Sequence, residues 1–236
     1  MKNTVLGAIY LSLAASIWGG MYVVSKYVLK FIPPFTLVWL RYAIAFVLLY
    51  LILRLVQRRT GTCARIDRKG WLLLGWIGFI GYFVSISCQF IGTMLSDAHT
   101  GALITAATPA FIVIFARFVL KETLTVQKAV SLLIATLGVA IVVGWNPNLG
   151  TYFWGSIILV AAAITWALLS VYVKLASYRY SSLTITTYAI LFALVFTTPF
   201  MLGEIQTNNI LLNDSLIILG VLYLGIISTA GAFFLW

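Results

Sequence analysis

Eight apolar stretches, each long enough to cross a membrane, recur along this chain of 236 residues. Each holds about 20 or more mostly apolar residues, the length that an α-helix needs to cross ~30 Å of hydrocarbon. Because hydrocarbon offers no water to bond backbone amides, such segments must be helical. The sequence therefore predicts an all-α, polytopic membrane protein, with spans at residues 5–25, 31–53, 71–95, 101–120, 126–145, 152–173, 183–203 and 215–236.

The composition excludes a soluble domain. The chain is 63% hydrophobic and 8% charged, and a globular surface needs far more polar cover than that. The net charge of +10 is compatible with nucleic-acid binding, but six of the fifteen Lys and Arg lie in one connector without interleaved stacking aromatics. We therefore expect the partners to be the lipid bilayer and a small molecule, with no nucleic acid, and the sequence leaves any homo-oligomer open.

The same connector predicts the orientation of the chain, because basic residues hold short loops in the cytoplasm. Its six cations are Arg54, Arg58, Arg59, Arg65, Arg68 and Lys69. Alternation of the spans then places the N-terminus inside, in a multi-pass protein of the cell (plasma) membrane. Cys63 in this loop and Cys88 in mid-membrane are too far apart to form a disulfide.

The chain resembles itself when it is shifted by about 148 residues, which predicts an internal repeat. The matches include Gly7 with Gly155, Trp18 with Trp166 and Lys26 with Lys174, and Gly81 falls on Gly225 at a shift of 144. One unit contains five helices, an odd number, so the second unit should run inverted, as in many secondary transporters. We expect a first domain at 1–145 and a second at 146–236. The second shows three of its five helices, so we expect two more beyond Trp236.

Four groups of short motifs follow one another along the first repeat: Trp18-Gly19-Gly20 with Lys26, Pro33-Pro34 with Arg41, Thr100-Gly101-Ala102 with Pro109, and Lys121-Glu122 with Thr125, Gln127 and Gly138. In their order and spacing they resemble the EamA branch of the drug/metabolite transporter superfamily. The resemblance covers the first repeat and the start of the second. It implies ten helices in two inverted repeats, and a central cavity for the export of small metabolites.

Arg41 is the most informative single residue, because a charge inside a span costs several kcal/mol unless it meets water or a partner. One interpretation is a cavity cation that binds a substrate carboxylate or phosphate through two parallel bonds. The other is a structural role, either reaching the outer interface or capping carbonyls of a neighbouring helix. The sequence leaves both open.

The remaining candidates for the cavity are aromatic and polar residues deep in their spans. Trp18 and Trp166 lie deeper than interfacial tryptophans, so they line a cavity or pack between helices. Tyr22 follows Trp18 by one turn. On the third span, Ser85 and Gln89 are candidates beside Ser87, and at most two of these three can face the lumen. Pro109 lacks a backbone donor, which predicts a kink and a candidate hinge.

The five acidic residues all lie outside the deep parts of the spans. A proton-driven cation exchanger usually needs a buried carboxylate, so the sequence argues against that class. Ser96, Asp97 and His99 lie too close in sequence for relay geometry. We therefore expect no enzyme, no catalytic residue, no metal and no cofactor.

The predicted function is a transporter that exports small organic metabolites, such as amino acids or related carboxylates, by alternating access. The alternative is a non-transporting membrane component, such as a scaffold or receptor.

Overall fold

A computed structural model describes residues 2–61, 66–123, 125–143, 150–207 and 214–235. Cys63, Arg65 and Trp236 lie outside the described residues. Within those residues all regular structure is helical. Eight helices follow one another: α1 Lys2–Val28, α2 Pro34–Thr60, α3 Arg68–Leu95, α4 Ala98–Val119, α5 Val126–Val143, α6 Thr151–Ser177, α7 Ser182–Thr207, and α8, which runs as Ser215–Leu222, Tyr223–Gly231 and Ala232–Leu235.

Five of these helices are long and apolar enough to cross a membrane, namely α2, α3, α4, α6 and α7. Shorter apolar stretches lie in α5 and α8, at Val126–Gly138 and Ser215–Gly231. The prediction of an all-α, multi-pass membrane protein is therefore confirmed. The inverted arrangement of two repeats and the total of ten helices remain predictions.

Two helices contain π-helical turns that the sequence analysis did not predict. They cover Gly78–Ser85 in α3 and Tyr223–Gly231 in α8. Each turn contains a glycine at a close helix contact. A Cβ on Gly81 would overlap the side chain of Leu169, and one on Gly225 would lie 2.8 Å from Ile44 Cβ. These glycines therefore let α3 approach α6, and α8 approach α2.

Contacts between loops show which helix ends lie together. The Tyr180 hydroxyl donates to Asp67 Oδ1 at 2.7 Å, which joins the α6–α7 loop to the start of α3. Lys174 Nζ donates to Glu122 Oε1 at 2.7 Å, which joins the end of α6 to the α4–α5 loop. The α2–α3, α4–α5 and α6–α7 connections therefore share one end of the bundle, which carries most of the basic residues.

The opposite end is held by Lys26 and Glu204. Lys26 Nζ, near the end of α1, donates to the carbonyls of Thr93, Met94 and Ser96 at the end of α3. Glu204, near the end of α7, accepts bonds from the start of α2. The Tyr152 and Thr100 hydroxyls, at the starts of α6 and α4, share a hydrogen bond of 2.6 Å. Consequently α1 runs opposite to α6, and α2 runs opposite to α7.

Candidate functional site

A cavity of about 50 Å³ lies in the interior, between residues of α1, α2, α3, α4, α6 and α8. All six residues that the sequence analysis named as cavity candidates line it: Trp18, Tyr22, Arg41, Ser85, Gln89 and Trp166. The six residues come from four helices, α1, α2, α3 and α6, so their meeting in one cavity does not follow from local spacing in the sequence.

Arg41 lies almost fully buried on α2, with 1% of its surface exposed. Its Nε donates to Thr229 Oγ1 at 2.9 Å, and its Nη1 donates to Met21 Sδ at 3.4 Å. The guanidinium carbon lies 5.2 Å from the ring centre of Phe90 and 5.7 Å from that of Tyr42. Aromatic faces stabilise a cation in such positions. Arg41 therefore does not reach the membrane interface.

Aromatic rings form one wall of the cavity. The Trp18 and Trp166 rings meet edge to face with their centres 5.9 Å apart, and the Phe233 ring lies 5.5 Å from Trp18 and 5.9 Å from Trp166. The Trp18 indole also donates from Nε1 to the carbonyl of Ser228, at 3.2 Å. Trp18 thus finds the partner that a deep indole N–H requires and lines the cavity as well.

A short hydrogen-bonded chain forms the polar wall. Gln89 Nε2 donates to the Tyr22 hydroxyl, which in turn shares a hydrogen bond with the Thr105 hydroxyl. Because Tyr22 accepts from Gln89, its single proton is free to donate to Thr105. Gln89 Oε1 is buried and has no hydrogen-bond partner among the described residues. The Gln89 amide, one of the groups that line the cavity, thus has an unpaired acceptor that is buried in this structure.

The polar residues of α3 divide between the cavity and the helix packing. Ser85 lines the cavity and donates to the carbonyl of Ala162 on α6, at 2.7 Å. Ser87 is buried but is not a lining residue. Two of the three candidates on α3 therefore face the cavity, the maximum that helical spacing allows.

Pro109 does not line this cavity. Helix α4 breaks at Ala107, whose N–H bonds to the carbonyl of Ile104 at 3.1 Å, and the helix resumes at Thr108 with Pro109 in its first turn. Proline suits that position because its missing N–H would be unpaired there anyway. Pro109 instead lines a neighbouring space of about 390 Å³ that shares Trp18, Tyr22 and Trp166 with the cavity. A hinge at Pro109 remains a prediction.

Some residues around the cavity escaped the sequence analysis. Met21, Thr105 and Phe233 line the cavity, and Thr229 bonds to Arg41 from α8. A signal for Thr229 was present, because the shift of 144 that pairs Gly81 with Gly225 also takes Ser85 to Thr229. Apolar or small residues such as Met21 give no such signal, since they are common in every span.

All five acidic side chains have partners at helix ends, away from the cavity. Asp67, Asp97 and Asp214 precede α3, α4 and α8 and accept the N–H groups of Gly70, Thr100 and Leu216 at 2.9, 2.8 and 2.9 Å. Glu204 accepts the N–H groups of Phe35 and Thr36 at 3.1 and 2.7 Å. Negative groups are favourable at helix N-termini. Arg41 therefore has none of these five carboxylates as its partner.

The remaining carboxylate and the polar loop near Asp97 are also explained by structure. Glu122 forms ion pairs with Lys174 and Lys128, which hold the pKa of the Glu122 carboxyl below its ordinary value. Ser96 donates to the carbonyl of Gly92 at 2.6 Å, and both Asp97 oxygens bond to Thr100. The described residues contain no group of three or more His, Cys, Asp or Glu that could hold a metal ion.

These features define a polytopic α-helical membrane protein with a buried cationic and aromatic cavity. The chain belongs to the EamA-like transporter family, whose model matches residues 5–144 and 153–236. It is 31% identical to the uncharacterized transporter YetK of Bacillus subtilis (strain 168), over 96% of this chain and 70% of that protein. An uncharacterized transporter of Archaeoglobus fulgidus is 25% identical, over 97% of this chain and 78% of its own length.

A solved crystal structure shares the fold. It aligns with a TM-score of 0.69 and 20% sequence identity, over 98% of this chain and 77% of that chain. At this identity the likeness concerns the fold alone. The family membership and the transporter names of the relatives assign this chain to the membrane transporters.

Proposed function

We propose that this protein exports small organic metabolites, such as amino acids or related carboxylates, by alternating access. The observation that carries the proposal is the buried cation Arg41, which lies in an aromatic cavity. All five carboxylates of the chain, which could have paired with Arg41, bond to other groups instead. A buried charge without a counter-ion is costly, and a substrate carboxylate would reduce that cost. The cavity therefore favours a ligand with a negative group.

The rest of the cavity suits a ligand with an apolar part. Trp18, Trp166 and Phe233 offer broad aromatic surface, while Gln89 Oε1 offers an acceptor that an amine or hydroxyl could use. Most small-molecule sites combine apolar walls with a few polar groups in this way. An α-amino acid or a hydroxylated or aromatic carboxylate meets all three requirements.

The size of the cavity supports a moving mechanism. A volume of about 50 Å³ is far below the ~300–1,000 Å³ of typical ligand sites. To hold a metabolite, the cavity would have to widen or to join the neighbouring space of about 390 Å³ that shares Trp18, Tyr22 and Trp166 with it. Lys26 ties α1 to α3 at one end, and Lys174 ties α6 to the α4–α5 loop at the other. Alternate release of these two ends would expose the cavity to each side in turn.

The inverted repeat belongs to the same proposal. Helices α1 and α6 run in opposite directions, as do α2 and α7, and π-helical turns occur in the third helix of both units. Trp18 and Trp166, which correspond in the repeat, meet at the cavity. These features support two units, 1–145 and 146–236, related by a two-fold axis in the membrane plane.

A metabolite screen tests the proposed export. Culture medium is compared between cells that express the wild-type chain and cells that express Arg41→Leu at the same abundance in the membrane. We expect one or more amino acids or carboxylates to accumulate outside the wild-type cells alone. Media that do not differ in any carboxylate would contradict the proposal and favour a non-transporting membrane component.

A further inference from the structure

The guanidinium of Arg41 is bonded differently at Nε and at its outer edge, which carries Nη1 and Nη2. Nε is held by Thr229 Oγ1 at 2.9 Å, an ordinary hydrogen-bond length for this pair. On the outer edge, the acceptor found among the described residues is Met21 Sδ, at 3.4 Å from Nη1. A thioether sulfur is a weak acceptor, so this outer edge is poorly satisfied.

Thr229 is fixed in the orientation that allows it to accept from Arg41. Its hydroxyl has one proton, which it donates to the carbonyl of Leu224 at 2.6 Å, five residues earlier in the π-helical turn. The remaining lone pairs of Oγ1 then face Arg41. Thr229 is fully buried, so water cannot replace this contact from outside. The π-helical turn thus supplies both the position and the orientation of the acceptor.

We infer that Thr229 is a positioning residue, which holds Arg41 by Nε and keeps the outer edge of the guanidinium turned toward the cavity for a carboxylate. Met21 occupies the place of that carboxylate in this structure. This inference rests on the proposed function, because it assumes that Arg41 binds the acidic group of the substrate.

The chemistry of the three groups explains why the exchange would be favourable. A carboxylate accepts two parallel bonds from an arginine edge, and such charge-assisted bonds are roughly twice as strong as neutral ones. Methionine is flexible and polarizable, so Met21 can withdraw without a large cost in packing. Without Thr229, the guanidinium could turn and offer its Nε–Nη edge as well, so the edge that meets the carboxylate would no longer be fixed.

The experiment compares the binding of two planar probes, benzoate and its neutral analogue benzamide, to the detergent-solubilised full chain. Thr229→Val removes the acceptor at nearly constant shape, and Thr229→Ser retains it. Thr197→Val is the matched control, because Thr197 is equally buried and bonds only to the carbonyl of Ala193 in its own helix among the contacts described. Dissociation constants are measured by equilibrium dialysis with labelled probes.

We expect Thr229→Val to weaken benzoate binding by about tenfold or more, the scale of a lost hydrogen bond to a charged group, and to leave benzamide binding unchanged. Thr229→Ser should restore benzoate binding to within about twofold, and Thr197→Val should bind both probes as the wild type does. A merely structural role would weaken both probes alike. Equal benzoate binding by Thr229→Val and wild type would overturn the inference.

A double variant separates this inference from the proposed function. If Thr229 acts through Arg41, Thr229→Val should add nothing to the loss that Arg41→Leu causes. An additional loss in the double variant contradicts the inference. If Arg41→Leu binds benzoate as well as the wild type does, the proposed carboxylate site is wrong. Should Thr229→Val fail to fold, Thr229→Cys, which offers a weak sulfur acceptor, replaces it and should lie between the Val and Ser variants.

Discussion

Among the described residues, Arg41 is the charged side chain that lies buried, and the sequence alone made it a candidate. A charge inside an apolar helix is costly enough that it needs an explanation in any membrane protein. Arg41 lines the cavity, and its bonds go to the Thr229 hydroxyl and the Met21 sulfur, so among the described contacts it neither caps a helix carbonyl nor reaches the outer interface. The repeat adds one more observation, because the shift of 148 pairs Arg41 with Ala189. The first repeat thus supplies a cation at this position, and the second repeat does not.

Substitution of Arg41 separates a binding role from a structural one. We expect Arg41→Leu to lower the export of carboxylates by about 10- to 100-fold, the scale of charged hydrogen bonds. Arg41→Lys should recover part of this, because an ammonium lacks the planar fork. Export is measured as accumulation in the medium per unit of membrane protein. Arg58→Leu, at an exposed position of the same helix, is the control. Unchanged export by Arg41→Leu would assign the residue a structural role.

At the scale of helices, the apolar stretches of the sequence predict the length and order of the helices, but they do not predict the π-helical turns within α3 and α8. The predicted span at 71–95 became Arg68–Leu95, and the one at 101–120 became Ala98–Val119. The π-helical turns escaped prediction because they arise where distant helices approach, as at Gly81 and Leu169. The correspondence of Gly81 with Gly225 in the repeat indicated a shared role for the two glycines, but it did not predict the π-helical turns that contain them.

Glycine substitutions test the close contact of α3 with α6. An alanine at Gly81 would overlap Leu169 and should destabilise the protein by about 1–3 kcal/mol. The same change at Gly138 on α5 meets no atom within 4 Å, so helix propensity should make it neutral or stabilising by up to about 1 kcal/mol. Thermal unfolding in detergent measures both. Equal effects at the two positions would contradict the packing described here.

The contact of Asp67 with Tyr180 predicts a pH dependence at the basic end of the bundle. The Tyr180 hydroxyl and the Gly70 N–H hold the pKa of the Asp67 carboxyl below its ordinary value of 3.8. A lowered pKa in the folded state stabilises the protein above the ordinary value, and this stabilisation is lost as the pH falls through the folded value. We expect the melting temperature of the wild type to fall more steeply below about pH 4 than that of Tyr180→Phe. Parallel curves would contradict this coupling.

At the scale of the molecule, the family and the membrane fold could be predicted, and so could six of the residues that line the cavity. These cavity residues could be predicted because polar and large aromatic side chains are rare and costly within apolar helices, so each one indicates a special position. Thr229 and Met21 could not be assigned their contacts, because their partner Arg41 lies 188 and 20 positions away in sequence. No local pattern records a contact between helices that meet only in the folded bundle.

The predicted orientation can be tested on described positions at the two ends. Single cysteines replace Arg179 and Lys30, both exposed, in a chain whose two native cysteines are changed to serine. Because the basic end should face the cytoplasm, a membrane-impermeant maleimide should label position 30 in intact cells. Position 179 should react only after the membrane is opened. The reverse pattern would invert the whole topology, including the direction of the proposed export.

The most direct test of the central claim is exchange across a reconstituted bilayer. Proteoliposomes that contain the wild-type chain are loaded with an unlabelled carboxylate identified by the metabolite screen, and uptake of the labelled compound is followed. We expect a saturable uptake that the internal compound accelerates, together with uptake by Arg41→Leu vesicles close to that of protein-free vesicles. Equal uptake by wild-type, Arg41→Leu and protein-free vesicles would contradict a carboxylate transporter built around Arg41.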